Sequence, residues 1–199
     1  MPETSTTKRP IPLAILFIVA GAIGLTAAFL LTQDKFHLLQ NPNAQLSCNF
    51  SVLVGCSKNL TEWQGSVFGF PNPVLGLICW PVPITLGVSI LAGARFPRWF
   101  WAAFNLAVLG AIVLVGWFIW QSVFSLYVLC PWCMVTWTVT IPTFWAITFY
   151  NLKSGNIPLP AGARRACARL YSWVPLITLL SYAFVAILAQ VQVDWLHRI

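Results

Sequence analysis

The chain carries six cysteines, and four of them fall by spacing into two pairs: Cys48 with Cys56, and Cys130 with Cys133 in the run Cys130-Pro131-Trp132-Cys133. Two thiols separated by two residues can close into a disulfide and reopen, so a C-x-x-C reads as a redox device whose surroundings select its electron acceptor. Cys130 is expected at the N-cap of a helix. Pro131 suits the first turn, where its missing N–H would be unpaired, and Cys133 lies three residues on, nearly above Cys130. The free N–H groups and positive dipole end there favour a thiolate, the attacking species in thiol–disulfide exchange; spacing leaves open which of the two sulfurs benefits more. Two other chemistries share the motif. It supplies two ligands to a structural zinc, but such sites usually take four, and the histidines, His37 and His197, are distant in the chain. It also suits a permanent disulfide.

Cys48 and Cys56 lie in a turn-rich stretch that includes Asn41, Pro42, Asn43 and Gly55. Such a loop is expected to be mobile enough to carry a thiol. If Cys56 swings to Cys130 while Cys48 faces water, electrons from a soluble dithiol pass from Cys48 to Cys56, Cys130 and Cys133. The alternative is a loop disulfide that only staples an external segment.

The elements that must position these cysteines are membrane helices. The chain has 199 residues, 59% of them apolar and 8% charged, whereas soluble domains carry about 25% charged residues. Five apolar stretches are long enough to cross about 30 Å of hydrocarbon: 11–31, 73–93, 101–124, 130–150 and 173–191. The first follows Lys8 and Arg9 as a signal peptide would, but its apolar run exceeds the roughly 7 to 15 residues of such a segment. The expectation is an all-α protein. Residues 11–191 form one membrane domain, flanked by a cytoplasmic tail at 1–10 and an external tail at 192–199.

Lys and Arg are retained in cytoplasmic loops near span ends. An internal N-terminus places Lys8, Arg9, Arg95, Arg98, Lys153, Arg164, Arg165 and Arg169 inside, and only Lys35, Lys58 and Arg198 outside. The net charge of +7 then reports topology and contact with anionic lipid, with no nucleic acid implied. All four paired cysteines fall on the extracytoplasmic side, where disulfides persist: Cys48 and Cys56 in an external loop over 32–72, Cys130 and Cys133 after a short turn. Cys79 reads as a small buried hydrophobe and Cys167, in the cytoplasmic loop 151–172, as a reduced thiol. An aromatic stretch that includes Trp63, Ser66 and Phe68 is expected to form a lid. Trp132 and Trp137 beneath it would line a cavity beside Cys133 suited to a flat apolar ring, although aromatics at span ends also serve as an interfacial belt. Ala20, Gly24 and Ala28 form a small-residue stripe, and Pro142 is expected to kink the fourth span. Asp, Glu and His are absent from the expected spans, which weighs against a metal or solute transporter using cysteine ligands, the competing class.

A long loop with two spaced cysteines, then Ser66-Val67-Phe68-Gly69, then Cys130-Pro131-Trp132-Cys133 opening the fourth span resembles the vitamin K epoxide reductase family. The resemblance covers 11–150, and the run Phe68-Gly69-Phe70-Pro71-Asn72-Pro73 is similar to its actinobacterial branch. DsbB-type oxidases differ, because their C-x-x-C lies in the earlier external loop. The resemblance implies a multi-pass protein of the bacterial cytoplasmic membrane. Four helices would surround a quinone, menaquinone or a related vitamin K-type quinone, with a peripheral fifth helix and the external loop as a cap. It implies an oxidoreductase in which Cys133 reduces quinone, Cys130 is its exchange partner, Cys56 shuttles, and Cys48 meets the partner protein. Trp63, Ser66, Phe68, Trp132 and Trp137 are the expected ring contacts. Animal members carry Asn before the Ser-x-Phe-Gly stretch and Tyr four residues after the second active cysteine; here these places hold Gly65 and Trp137. That favours plain quinone reduction over epoxide reduction, the alternative activity. The chain ends after its fifth span, so the partner, a secreted or membrane-anchored DsbA-like protein of thioredoxin fold, is expected to be a separate chain.

Overall fold

The computed structural model describes residues 9–51 and 53–194; Lys8, His197 and Arg198, used above for topology and ligand counting, lie outside the described residues. Within them the chain is helical: α1 (Ile11–Gln40), α2 (Ser57–Thr61), α3 (Asn72–Cys79), α4 (Pro81–Ala92), α5 (Arg98–Trp120), α6 (Pro131–Ser154), α7 (Ala161–Tyr171) and α8 (Val174–Val193). No strand forms among the described residues, and one isolated parallel bridge joins Val54 to Leu129.

Four stretches are long and apolar enough to cross a membrane: Ile11–Gln40, Asn72–Ala92, Arg98–Leu126 and Val174–Val193. Their outward faces carry large apolar side chains, among them Leu106, Val113 and Val191, each about two-thirds exposed or more. Such a surface belongs in hydrocarbon. The protein is a membrane protein. The expected fourth span, α6, matches them in length but is less apolar, because it is rich in threonine. The hydroxyls of Thr136, Thr138, Thr140 and Thr143 each donate to a carbonyl three or four residues earlier, so the helix satisfies its own polar groups.

Several boundaries differ from the hydropathy reading. Helix α1 continues nine residues past 31 to Gln40, which makes Asp34, Lys35 and His37 helical and shortens the loop expected over 32–72. Polarity at Thr32 marks the exit from hydrocarbon, whereas the helix persists until Asn41-Pro42 supplies a breaker. The second span is broken between Cys79 and Pro81, because Pro81 and Pro83 lack the N–H that would continue the ladder. The stretch 151–172 holds a helix of its own, α7, with Arg164, Arg165 and Arg169.

Helix α1 packs along α4, α3 and α6, while α6 packs against α1, α5, α7 and α8. Small residues set the α1–α4 distance. A methyl group on Gly24 would overlap the Trp80 indole, and one on Gly87 would stand 2.6 Å from the Ala14 carbonyl oxygen. Helix α8 is peripheral, touching α6 and the turn after α5. Two hydrogen bonds anchor it: Trp145 Nε1 donates to Ser181 Oγ at 3.2 Å, and the Tyr182 hydroxyl donates to the Thr138 carbonyl. That carbonyl is the one left without its helical donor by Pro142, four residues on, and α6 stays continuous across it.

Away from the cysteines, Asn151 is fully buried and donates to the Trp101 carbonyl and Asn105 Oδ1 at 2.9 and 3.1 Å, joining α6 to α5. Arg9 lies over the end of α4, donating to the Leu91 carbonyl. Lys153 sits 3.3 Å above the Tyr171 ring, and Arg164 donates to the Lys153 carbonyl. These cations share the end of the bundle opposite Cys130.

Candidate active site

The end of the bundle that holds Cys130 is built from α1, the loop 41–56, α2 and the start of α6. Asn49 organises the loop: its Oδ1 accepts the Cys56 N–H at 2.9 Å and the Ser57 N–H at 3.3 Å, while its Nδ2 donates to Ser57 Oγ. The segment before Cys56 is fastened to the residue before Cys130. Gly55 N–H donates to the Leu129 carbonyl at 3.0 Å, and Leu129 N–H to the Leu53 carbonyl at 2.8 Å. Lys35 and Lys58 hold α2 from either side, donating to the carbonyls of Leu60 and Leu126.

These ties bring the four cysteines into one apolar cluster with Leu31, Leu38, Leu46, Leu60 and Trp132. Cys48 and Cys56 are joined as a disulfide with Cα atoms 5.8 Å apart, and Cys130 and Cys133 are free. Two expectations change. Cys56 needs no swing to approach Cys130, because hydrogen bonds on both sides already hold it in the same cluster. Cys48 does not face water: it is 2% exposed, covered where the loop folds back on α1.

Cys130 occupies the N-cap of α6 with extended backbone, Pro131 follows in the first turn, and Cys130 Sγ accepts the Cys133 N–H at 3.4 Å. The open question of which sulfur gains from the helix terminus is answered in favour of Cys130. Cys133 is partly exposed and packs against the same cluster. It lines a cavity of about 440 Å³ enclosed by α1, α3, α4, α5 and α6. The lining is overwhelmingly apolar, and its polar members include Asn59, Gln64, Asn72, Gln121 and Ser122.

Among the described residues, two buried polar atoms on this lining lack a partner, Asn59 Nδ2 and Gln64 Oε1. Gln64 is otherwise held, its Nε2 donating to Gln121 Oε1 at 3.3 Å and its carbonyl accepting from Asn72 Nδ2 at 2.6 Å. An unsatisfied donor and an unsatisfied acceptor on a cavity that a free thiol also lines fit a flat ring that carries oxygens at its edge.

Of the aromatic and hydroxyl residues expected at the ring, Trp137 lines the cavity and is 5% exposed. Trp63, Ser66, Phe68 and Trp132 lie outside its lining. Trp63 packs on Trp117 and Phe68 on Phe70 at the outer surface, and Trp132 packs against the cysteine cluster. From this stretch Gln64, Gly65, Asn72 and Pro73 line the cavity instead. Cys79, expected to be buried, is exposed on the cavity lining, and Cys167 is half-buried on α7. Sequence reasoning passed over Asn59, Gln64 and Asp34. Asp34 Oδ2 lies 3.3 Å from Cys48 Sγ. The only signal for the first two was their polarity within a segment otherwise leading into the membrane.

The vitamin K epoxide reductase family model matches residues 15–148, two-thirds of the chain. The chain belongs to that family. No curated protein and no solved structure gives a match. The matched region runs from α1 to the last turns of α6, so it contains all four clustered cysteines and the cavity, and leaves α7 and α8 outside. Vitamin K epoxide reductase family members are generally oxidoreductases that use quinones, and this chain has the membrane helices and disulfide-forming cysteine pair such redox chemistry requires.

Proposed function

We propose that the protein passes electron pairs from a secreted, DsbA-like dithiol protein through Cys48–Cys56 and Cys130–Cys133 to a membrane quinone of the vitamin K type. It thereby supports disulfide formation outside the cytoplasm. The observation that carries the reading is the position of Cys133. It belongs to the same cluster as the loop disulfide and also lines the apolar cavity.

The chemistry follows from the two sulfurs of α6. A thiol of the reduced loop pair attacks the Cys130–Cys133 disulfide at Cys130, and Cys133 leaves as a thiolate into the cavity. Asn59 Nδ2 is placed to donate to a ring carbonyl and Gln64 Oε1 to accept from a ring hydroxyl, which gives both orphan atoms partners. A bound quinone supplies a two-electron, two-proton sink, matching one disulfide. About 30 mV between the couples corresponds to about 1.4 kcal/mol, so a modestly more oxidising quinone pool makes the flow directional.

Helix α6 has 24 residues, about 36 Å at 1.5 Å per residue, and packs along three helices read as spans. It therefore crosses with them as the fifth span. Arg9, Lys153 and Arg164 mark the cytoplasmic end, and the cysteines face outward. With Cys48 buried, the partner must displace the loop around Leu46 to reach it.

The test is turnover in lipid vesicles holding a short-chain naphthoquinone, driven by a reduced thioredoxin-fold protein and followed by loss of quinone absorbance. Cys133→Ala is expected to abolish it. Sustained turnover by that variant refutes the relay.

A further inference from the structure

The relay leaves one group beside its sulfurs unused. Asp34, on the outer turns of α1, is the only carboxylate grouped with the clustered cysteines among the described residues: its oxygen and the sulfurs of Cys48 and Cys56 lie within 4.8 Å of one another. No ion pair holds it there among the described residues. The nearby cations Lys35 and Lys58 are turned to the carbonyls of Leu60 and Leu126, and His37 acts on Asp34 from the next turn of its own helix.

We infer that Asp34 is the proton acceptor for Cys48, the catalytic base of the internal exchange step. The inference rests on the relay proposed above. In that step Cys56 has attacked Cys130 and the two are joined as a mixed disulfide, while Cys48 is still a thiol. The Asp34 carboxylate takes the Cys48 proton and becomes a carboxylic acid. The Cys48 thiolate attacks Cys56 Sγ, the Cys48–Cys56 bond forms, the Cys56–Cys130 bond breaks, and the electron pair leaves on Cys130. The loop pair has lost two electrons and the Cys130–Cys133 pair has gained them; the proton passes from Asp34, which is partly exposed, to water.

The arrangement observed is the product of this step. The loop disulfide is closed, Cys130 is free, and Cys130 Sγ receives the Cys133 N–H that stabilises it as a leaving group. A disulfide sulfur has no proton to give. The 3.3 Å contact between Asp34 Oδ2 and Cys48 Sγ is therefore where the carboxyl group would stand just after it had taken that proton. A base is needed because Cys48 is buried, and an ordinary thiol is only about 3% ionised at pH 7.

Asp34→Asn keeps the shape and removes the base. At pH 7 it is expected to slow partner-driven turnover on the order of 100-fold, within the usual range for general base catalysis, and to accumulate the Cys56–Cys130 bond, detected by alkylation and peptide mass mapping. Raising the pH to 9 ionises more of the thiol without help and should recover part of the lost rate relative to the parent at the same pH, at most the roughly 25-fold of a free thiol, with the trapped bond diminishing. A merely structural aspartate predicts a deficit that pH does not repair. A pH-independent deficit, or no accumulation, overturns the assignment, provided that Cys48→Ala does accumulate the Cys56–Cys130 bond. If Cys48→Ala fails to do so, the relay itself is wrong, and Asp34 falls with it.

Discussion

Replacing Asn59 by Leu should move stability and ligand affinity in opposite directions. Asn59 Nδ2 is buried on the cavity lining without a partner among the described residues. An unpaired buried donor costs about 1 to 3 kcal/mol, and leucine, with the same branched arrangement of side-chain heavy atoms and open cavity beside it, removes that cost from the protein without quinone. The unliganded variant should therefore be at least as stable as the parent. A ring carbonyl that accepts from Nδ2 repairs the same deficit, so the variant should bind quinone more weakly by up to about 1 to 3 kcal/mol, a factor of about 5 to 150 in Kd or KM. Denaturation in detergent without quinone, and quinone titration followed by quenching of the tryptophan fluorescence, measure the two arms. Trp80 and Trp137 line the cavity and should report ring binding directly. Destabilisation of the unliganded variant, or unchanged affinity, refutes the assignment of this atom to the ring.

Other perturbations test the frame around the site. Tyr182→Phe strips the donor from the Thr138 carbonyl and should cost about 1 kcal/mol in mixed-micelle unfolding; in a Pro142→Ala background, where the backbone N–H is restored, the cost should vanish, and an equal cost in both backgrounds rules out the pairing. Gly87→Ala places a methyl 2.6 Å from the Ala14 carbonyl oxygen and 2.7 Å from Ile18 Cγ1, so it should destabilise by about 1 to 3 kcal/mol. Gly116→Ala meets nothing within 4 Å and should be neutral or stabilising by up to about 1 kcal/mol, so equal effects of the two glycine substitutions would contradict close α1–α4 contact.

What could be read from the sequence was what depends on neighbours along the chain. The N-cap position of Cys130 and the fit of Pro131 follow from a few consecutive residues, and both are found. The apolar runs follow from local hydropathy, and they locate the long helices. Hydropathy, however, measures depth in the bilayer and not backbone conformation. Helix α1 therefore outruns the apolar run, and Asp34, expected in a loop, stands on a helix beside Cys48. The broken second span was legible in principle, since Pro81 and Pro83 sit in the middle of it.

The cavity lining was not legible, because it depends on which side chains converge from separate elements. Gln64 and Asn72 line the cavity, while the neighbouring aromatics Trp63 and Phe68 lie outside its lining and are exposed. The reason is electrostatic and geometric together. A polar side chain entering an apolar enclosure is worth its desolvation only when it finds a partner, and Gln64 Nε2 finds two, Gln121 Oε1 and Ser125 Oγ, while its backbone carbonyl accepts from Asn72. Trp63 and Phe68 have no such requirement, and in a membrane protein their apolar rings lose little by facing the interfacial layer. The same reasoning bears on the cysteines. Burying Cys48, Cys56 and Cys130 in one cluster would keep water and stray thiols from the proposed relay, and under that proposal proton transfer at Cys48 depends on a group built into the protein. Asp34 is the group that stands there.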